Sequence, residues 1–239
     1  PNTGKSAVDL NKLPCVQAVL DAVYNPLSSQ LVVDAKERAI TAVGGLYMLV
    51  SQAAYAVEKF IDDPMDAQKV EAIFRSLYKE KMNIVLVGMP ASGKTSVGKA
   101  LAEKLCKSFV DTDDLIVEAA GKPIPEIFAE SGEKAFREIE SNVIFETSKA
   151  NQKIVATGGG TVLNKKNIEA LKGNGRVYFI DRPLEMLVAT GDRPLSSNKA
   201  DLEKRYNERY DIYVKTADEK IDASVDVEMV ADQILRSIN

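Results

Sequence analysis

The run Gly88-Met89-Pro90-Ala91-Ser92-Gly93-Lys94-Thr95 satisfies the pattern G-x-x-x-x-G-K-[ST], with the apolar stretch Asn83–Val87 before it and a helical pattern from Ser96 after it. That order has a mechanism. Gly88 and Gly93 permit backbone angles that aim consecutive N–H groups inward, and the following helix adds its positive end, so the loop can cradle a phosphate chain. Lys94 can reach the β- and γ-phosphates of a nucleotide, and Thr95 offers a hydroxyl to a divalent cation. A partial second match, Thr3-Gly4-Lys5-Ser6, has no strand before it and reads as a solvated loop.

Further groups lie downstream. Asp111 and Asp113 stand at i and i+2 in Phe109-Val110-Asp111-Thr112-Asp113. Strand alternation puts both carboxylates on one face, at the carboxyl end where α/β sheets hold ligands. The competing reading is that one of them caps the next helix. Arg137 and Glu140, at i and i+3 of a helix, can pair along one face. That is either a solvated surface pair or a fork held ready for a carboxylate. Gly158-Gly159-Gly160 closes the run Lys153–Thr157 and either brings bare backbone close to a ligand or makes a flexible turn. Arg193 lies in a polar stretch, 191–201, with the composition of a closing lid. Arg209 sits among Tyr206, Tyr210 and Tyr213, a spacing of core packing rather than of base stacking.

Composition narrows what these groups can do. The 239 residues hold 31 Lys and Arg against 35 Asp and Glu, for a net charge of −4, and no histidine. Histidine triads, histidine bases and histidine metal sites are therefore excluded. The acidic balance argues against a nucleic-acid surface. Cys15 and Cys106 have no metal-ligand spacing and cannot build a disulfide framework, so a reduced, cytoplasmic setting is expected. Ala39–Val57 lacks charge over nearly a bilayer's length, but its β-rich start and Gly44-Gly45 predict a buried strand running into a buried helix. No membrane association and no signal peptide are expected. The chain starts at Pro1 in loop-like residues, as a piece of a longer protein would.

The elements that must position these groups fall into two parts. Residues 1–80 predict a strand at 16–24, helices at 28–38, 46–60 and 66–79, and a strand at 39–43, a thin and incomplete α/β segment. Lys79-Glu80-Lys81 reads as a charged joint. Residues 81–239 alternate apolar strands with helices, at 94–106, 114–120, 125–130, 132–149, 165–172, 183–189, 201–216 and 226–238. That alternation predicts a central parallel sheet covered on both faces.

The phosphate loop, the Asp111/Asp113 pair, Phe136-Arg137-Glu138-Ile139-Glu140, Gly158-Gly159-Gly160 and Arg193-Pro194-Leu195, in this order, resemble shikimate kinase over residues 82–239. The resemblance implies a three-layer α/β/α P-loop kinase that transfers a phosphoryl group from ATP to shikimate with Mg²⁺, as a monomer or homodimer. It implies that Gly88, Ala91, Ser92, Gly93, Lys94, Thr95, Ser96 and Arg193 bind ATP, and that Thr95 and Asp111 serve the metal. Asp113, Arg137, Gly158, Gly159, Gly160 and Arg209 would bind shikimate, with Glu140 holding Arg137, and Lys94, Asp113 and Arg193 would be catalytic. Arg205 is a nearby competitor of Arg209. Two arginines often found in the family are missing, one at Val188-Ala189-Thr190 before the lid and one near Ser224-Val225. The alternatives are another small-molecule or nucleoside-monophosphate-type kinase, and a nucleotide-binding regulatory module without turnover.

Residues 1–80 carry a second resemblance. Asp21-Ala22-Val23-Tyr24-Asn25-Pro26-Leu27 and the segment Gly44–Ala53 are similar to the C-terminal part of shikimate dehydrogenase, with Tyr24 and Gln52 on the shikimate side and Gly45 and Met48 near the nicotinamide. No G-x-G-x-x-G occurs in residues 1–80, so a remnant without dehydrogenase activity is expected.

Overall fold

The computed structural model describes Ser6, residues 8–187 and residues 199–238. It divides into two compact units, Pro1–Met82 with Lys172–Asn174, and Asn83–Leu171 with Gly175–Asn239.

In the first unit, β1 (Ala18–Leu20) and β2 (Thr41–Val43) pair in parallel, with Val19 opposite Ala42, and α1 (Gln30–Glu37) connects them. Ser29 starts α1 by accepting the Val32 N–H on its hydroxyl, which satisfies one of the donors left open in a first turn. Both strands are shorter than the hydrophobic runs predict. Only Val19 of β1 is buried, so pairing extends no further than the small core of Leu10, Val19 and Ala35. Then come α2 (Leu46–Ile61), which stops at Asp62 in the left-handed region at φ 52°, and α3 (Ala67–Lys81), capped by Asp66. Leu46, Val50 and Ala54 line one face of α2 at helical spacing, and Val50 and Ala54 pack with Val70 of α3. No helix among the described residues is long and apolar enough to cross a membrane. The charged joint Lys79-Glu80-Lys81 proves to be the last turn of α3, where the two lysines favour the negative end of the helix dipole.

The second unit contains β3 (Asn83–Val87), α4 (Lys94–Leu105), β4 (Ser108–Asp111), α5 (Thr112–Ala120), α6 (Ile124–Ser148), β5 (Lys153–Ala156), the greater part of α7 (Lys165–Asn174), β6 (Gly175–Asp181), α8 (Lys199–Thr216), β7 (Glu219–Asp222) and α9 (Val227–Ile238). It is an α/β fold built on one central parallel sheet. The five strands lie in the order β4-β5-β3-β6-β7, and every pairing is parallel. All of β3 is buried, and its alternation feeds two cores. Ile84 and Leu86 join Leu101, Val230 and Ile234 of α4 and α9, whereas Val85 and Val87 join Ile144, Leu171 and Tyr213 on the opposite face.

The expected break between two helices falls at Gly132, whose φ of 76° and ψ of 175° interrupt α6. Two local differences from the sequence expectations matter. The helix expected over 183–189 is a single 3₁₀ turn, Leu184–Met186, after which Leu187 turns extended and buries itself in the second core; 188 and 189 lie outside the described residues. Finally, β4 ends at Asp111 and α5 begins at once, so Asp113 belongs to a helical first turn and not to a strand face.

Candidate active site

The phosphate loop joins β3 to α4. Gly93 caps α4 at φ 92°, an angle that side chains resist, and the helix N–H groups open from it. The Lys94 side chain is buried and curls across the loop, with Nζ donating to Gly88 O at 3.0 Å and Met89 O at 2.8 Å and standing 3.5 Å from Ser92 Oγ. Ala91 holds a positive φ of 64° within the turn, and Ser96 lies exposed in the first turn of α4.

Asp111 ties this loop to its neighbour. Its Oδ2 accepts from Thr95 Oγ1 at 2.8 Å, while Oδ1 accepts from the Asp113 N–H at 3.0 Å as the cap of α5. Capping explains the corrected position of Asp113. A carboxylate bonding two residues ahead offers the backbone a helix start in place of a further strand residue.

The three glycines after β5 are the meeting point of the remaining groups. The first carbon of a side chain at Gly158 would lie 2.7 Å from Asp113 Oδ1 and 3.3 Å from Glu140 Oε1; at Gly160 it would lie 2.5 Å from Arg137 Nη1. Bare backbone alone permits that approach. Gly159 O accepts from Arg209 Nη1 at 3.1 Å and from Tyr213 Oη at 2.5 Å. Glu140 is 1% exposed and keeps two partners, Arg137 Nη1 at 2.8 Å and Thr161 Oγ1 at 2.9 Å. A buried carboxylate needs such compensation.

Charge in this cluster is held by its partners. Burial works against the charge on Arg137, but hydrogen bonds and attraction from Glu140 and then Glu133 outweigh it, and the guanidinium pKa rises above its ordinary value. Burial pushes the Tyr213 phenol up to about 12, with Arg209 pulling weakly the other way, so the hydroxyl remains a donor to Gly159.

Asp113, Arg137, Glu140, Gly158, Gly159, Gly160 and Arg209 therefore come together, and Gly88–Ser96 with Asp111 forms the adjoining loop. Arg193 lies outside the described residues. Arg209 is buried against Gly159, whereas Arg205, four residues earlier on α8, is half-buried. Sequence reasoning missed Thr112, whose hydroxyl accepts the Gly158 N–H at 3.1 Å, and Thr161 beneath Glu140. Both are fully buried polar residues with no local signature. It also assigned Tyr213 to core packing alone, although its ring stacks on Phe179 while its hydroxyl reaches the glycines.

The family model described as shikimate kinase matches residues 90–239. A shikimate kinase of Clostridium botulinum (strain Eklund 17B / Type B) is 41% identical over 162 residues, 66% of this chain and 98% of that protein. A solved shikimate kinase from Acinetobacter baumannii in complex with shikimate aligns with a TM-score of 0.64 at 32% identity, over 69% of this chain and 96% of that one. The shikimate kinase of Aquifex aeolicus aligns at 0.59 with 34% identity, over 66% of this chain and 96% of that one. These relatives are matched over nearly their whole length, the family model covers residues 90–239, and the chain belongs to the shikimate kinase family.

Proposed function

We propose that the chain catalyses the ATP-dependent phosphorylation of shikimate, giving ADP and shikimate 3-phosphate. The observation that carries this reading is the convergence of Asp113, Arg137 and Arg209 on the three glycines beside a phosphate loop. A carboxylic acid bearing ring hydroxyls needs an arginine pair for its carboxylate and an acceptor for its hydroxyl proton, and both are present at one site. Arg137 and Arg209 grip the carboxylate, with Glu140 orienting Arg137. Asp113 takes the proton of the attacking hydroxyl as its oxygen bonds the γ-phosphorus and the bridging oxygen leaves with ADP. The loop from Gly88 to Ser96 holds the phosphates, Lys94 neutralises the transferring group, and Arg193 joins from the lid.

Thr95 and Asp111 fit a magnesium ion: they are hard oxygen donors 2.8 Å apart on the loop's edge, and magnesium usually takes few protein ligands beside phosphate and water. Bound there, Mg²⁺ would supply charge neutralisation at the phosphates. Both residues would serve it while Asp111 continues to cap α5.

Following ADP release while shikimate is titrated tests the reading. Saturable, shikimate-dependent release is expected; nucleoside monophosphates replacing shikimate as acceptor, or nucleotide binding without turnover, would favour the two other classes. Residues 1–80 are read as a dehydrogenase-like remnant without turnover, supported by the Asp21–Leu27 and Gly44–Ala53 segments and by the two-stranded sheet of β1 and β2 among the described residues. Absorbance of the same mixture with NADP⁺ should show no reduced cofactor.

Gly160→Ala isolates the carboxylate grip. Gly160 has φ −100° and ψ −5°, which alanine adopts without strain, so the fold should be kept. The atoms nearest the added methyl belong to the flexible tip of Arg137, which must swing aside. Shikimate KM is expected to rise about tenfold with ATP KM unchanged, the loss of roughly one charged contact. Initial-rate kinetics with each substrate varied in turn checks it.

A further inference from the structure

Arg182 follows the last residue of β6 directly, and it is not one of the residues assigned a role above. Its Nη1 lies 3.8 Å from where a side chain on Gly93 would begin, so the guanidinium stands over the N-terminus of α4 and the phosphate loop. Its Nε donates to Met186 O at 3.3 Å across the 3₁₀ turn, which anchors the arm while leaving both Nη groups uncommitted. Among the described residues Arg182 forms no ion pair. The neighbouring carboxylate, Asp181, accepts from Tyr210 Oη at 3.0 Å and pairs with Lys220 at 3.2 Å. Lys94, by contrast, is folded into the loop's own carbonyls. The half-buried Arg182 is thus a cation, fixed at one end and facing the loop, without an anion of its own.

A guanidinium in that state suits a phosphate, since its planar fork matches two oxygens and it needs no proton transfer to stay charged. We infer that Arg182 is a nucleotide-binding residue that holds the polyphosphate of ATP from outside the loop, opposite the backbone cradle. The inference rests on the kinase reading above and adds to Lys94 and Arg193 a further cation that fixes the nucleotide's phosphates.

Calorimetric titration of Arg182→Ala and Arg182→Lys with MgATP and with inorganic tripolyphosphate tests it, alongside shikimate KM and thermal melting. Arg182→Ala should weaken ATP and tripolyphosphate by the same factor, about tenfold, with shikimate KM within about twofold of the parent. Arg182→Lys should recover part of both affinities through charge alone. Unchanged ATP affinity in Arg182→Ala overturns the inference. A loss for ATP but not for tripolyphosphate also overturns it, since the contact would then be to the base or sugar. An equal fall of ATP and shikimate affinity with a lowered melting temperature overturns it in favour of a structural role at Met186. Lys94→Met serves as the control: if Lys94→Met binds ATP more weakly than the parent, the kinase site stands whatever Arg182 does.

Discussion

Asp113→Asn and Lys94→Met are each expected to lower kcat at least a hundredfold, roughly 2.7 kcal/mol of barrier, with the protein still folded. Asn keeps the shape of Asp113 and its place in the first turn of α5, whose cap comes from the Asp111 carboxylate and stays intact. What disappears is the proton acceptor beside Gly158. Lys94→Met keeps the stem but removes the ammonium, which holds Gly88 O and Met89 O before any phosphate arrives. That variant should therefore also bind nucleotide more weakly, whereas Asp113→Asn should bind it like the parent. ADP release at saturating substrates, with melting curves as the fold control, separates the two. Retention of more than about a tenth of parental kcat in either variant would sink the role given to that residue.

The phosphate loop was legible because mechanism and local structure make the same demand there. A strand, a glycine turn and a helix start are needed within a dozen residues, and each leaves its own mark in sequence. The Asp111/Asp113 pair was legible as chemistry but not as geometry. Alternation carried the strand reading two residues too far, while one carboxylate-to-amide bond at Asp111 was enough to start a helix. The expected helix at 183–189 failed for a related reason. Pro183 and Leu184-Glu185-Met186-Leu187 have helical character, but Arg182 closes the turn on Met186 O and Leu187 gains more by entering the core in extended form.

Non-local features left the weakest traces. Glu140 is bonded by Thr161, 21 residues on, and Arg209 reaches Gly159 across 50. Neither pairing follows a period of two or 3.6, so only a family pattern could associate them. Thr112 and Thr161 illustrate the limit: a threonine is ordinary in sequence, and its importance comes from full burial beside a charged group or a bare amide. In the first unit the hydrophobic runs around β1 and β2 overstated the strands, because a strand's length is set by its partner and the core it covers, and here that core holds few residues.

Removing the arginines should separate carboxylate recognition from nucleotide binding. Arg209→Ala deletes a buried cation that donates to Gly159 O, and Arg137→Ala deletes one whose other partner is the buried Glu140. Each is expected to raise shikimate KM about ten- to a hundredfold, the worth of one charge-assisted contact, without changing ATP affinity. The two should differ in stability. Arg137→Ala leaves Glu140 with Thr161 as its remaining partner and should cost about 1–3 kcal/mol. Arg137→Ala combined with Glu140→Gln removes the uncompensated charge and should recover part of the melting temperature but none of the shikimate affinity. That split identifies Arg137 as a direct contact to the carboxylate, because a merely structural pair would recover both together. ATP affinity falling while shikimate affinity holds would assign the arginines to the other ligand.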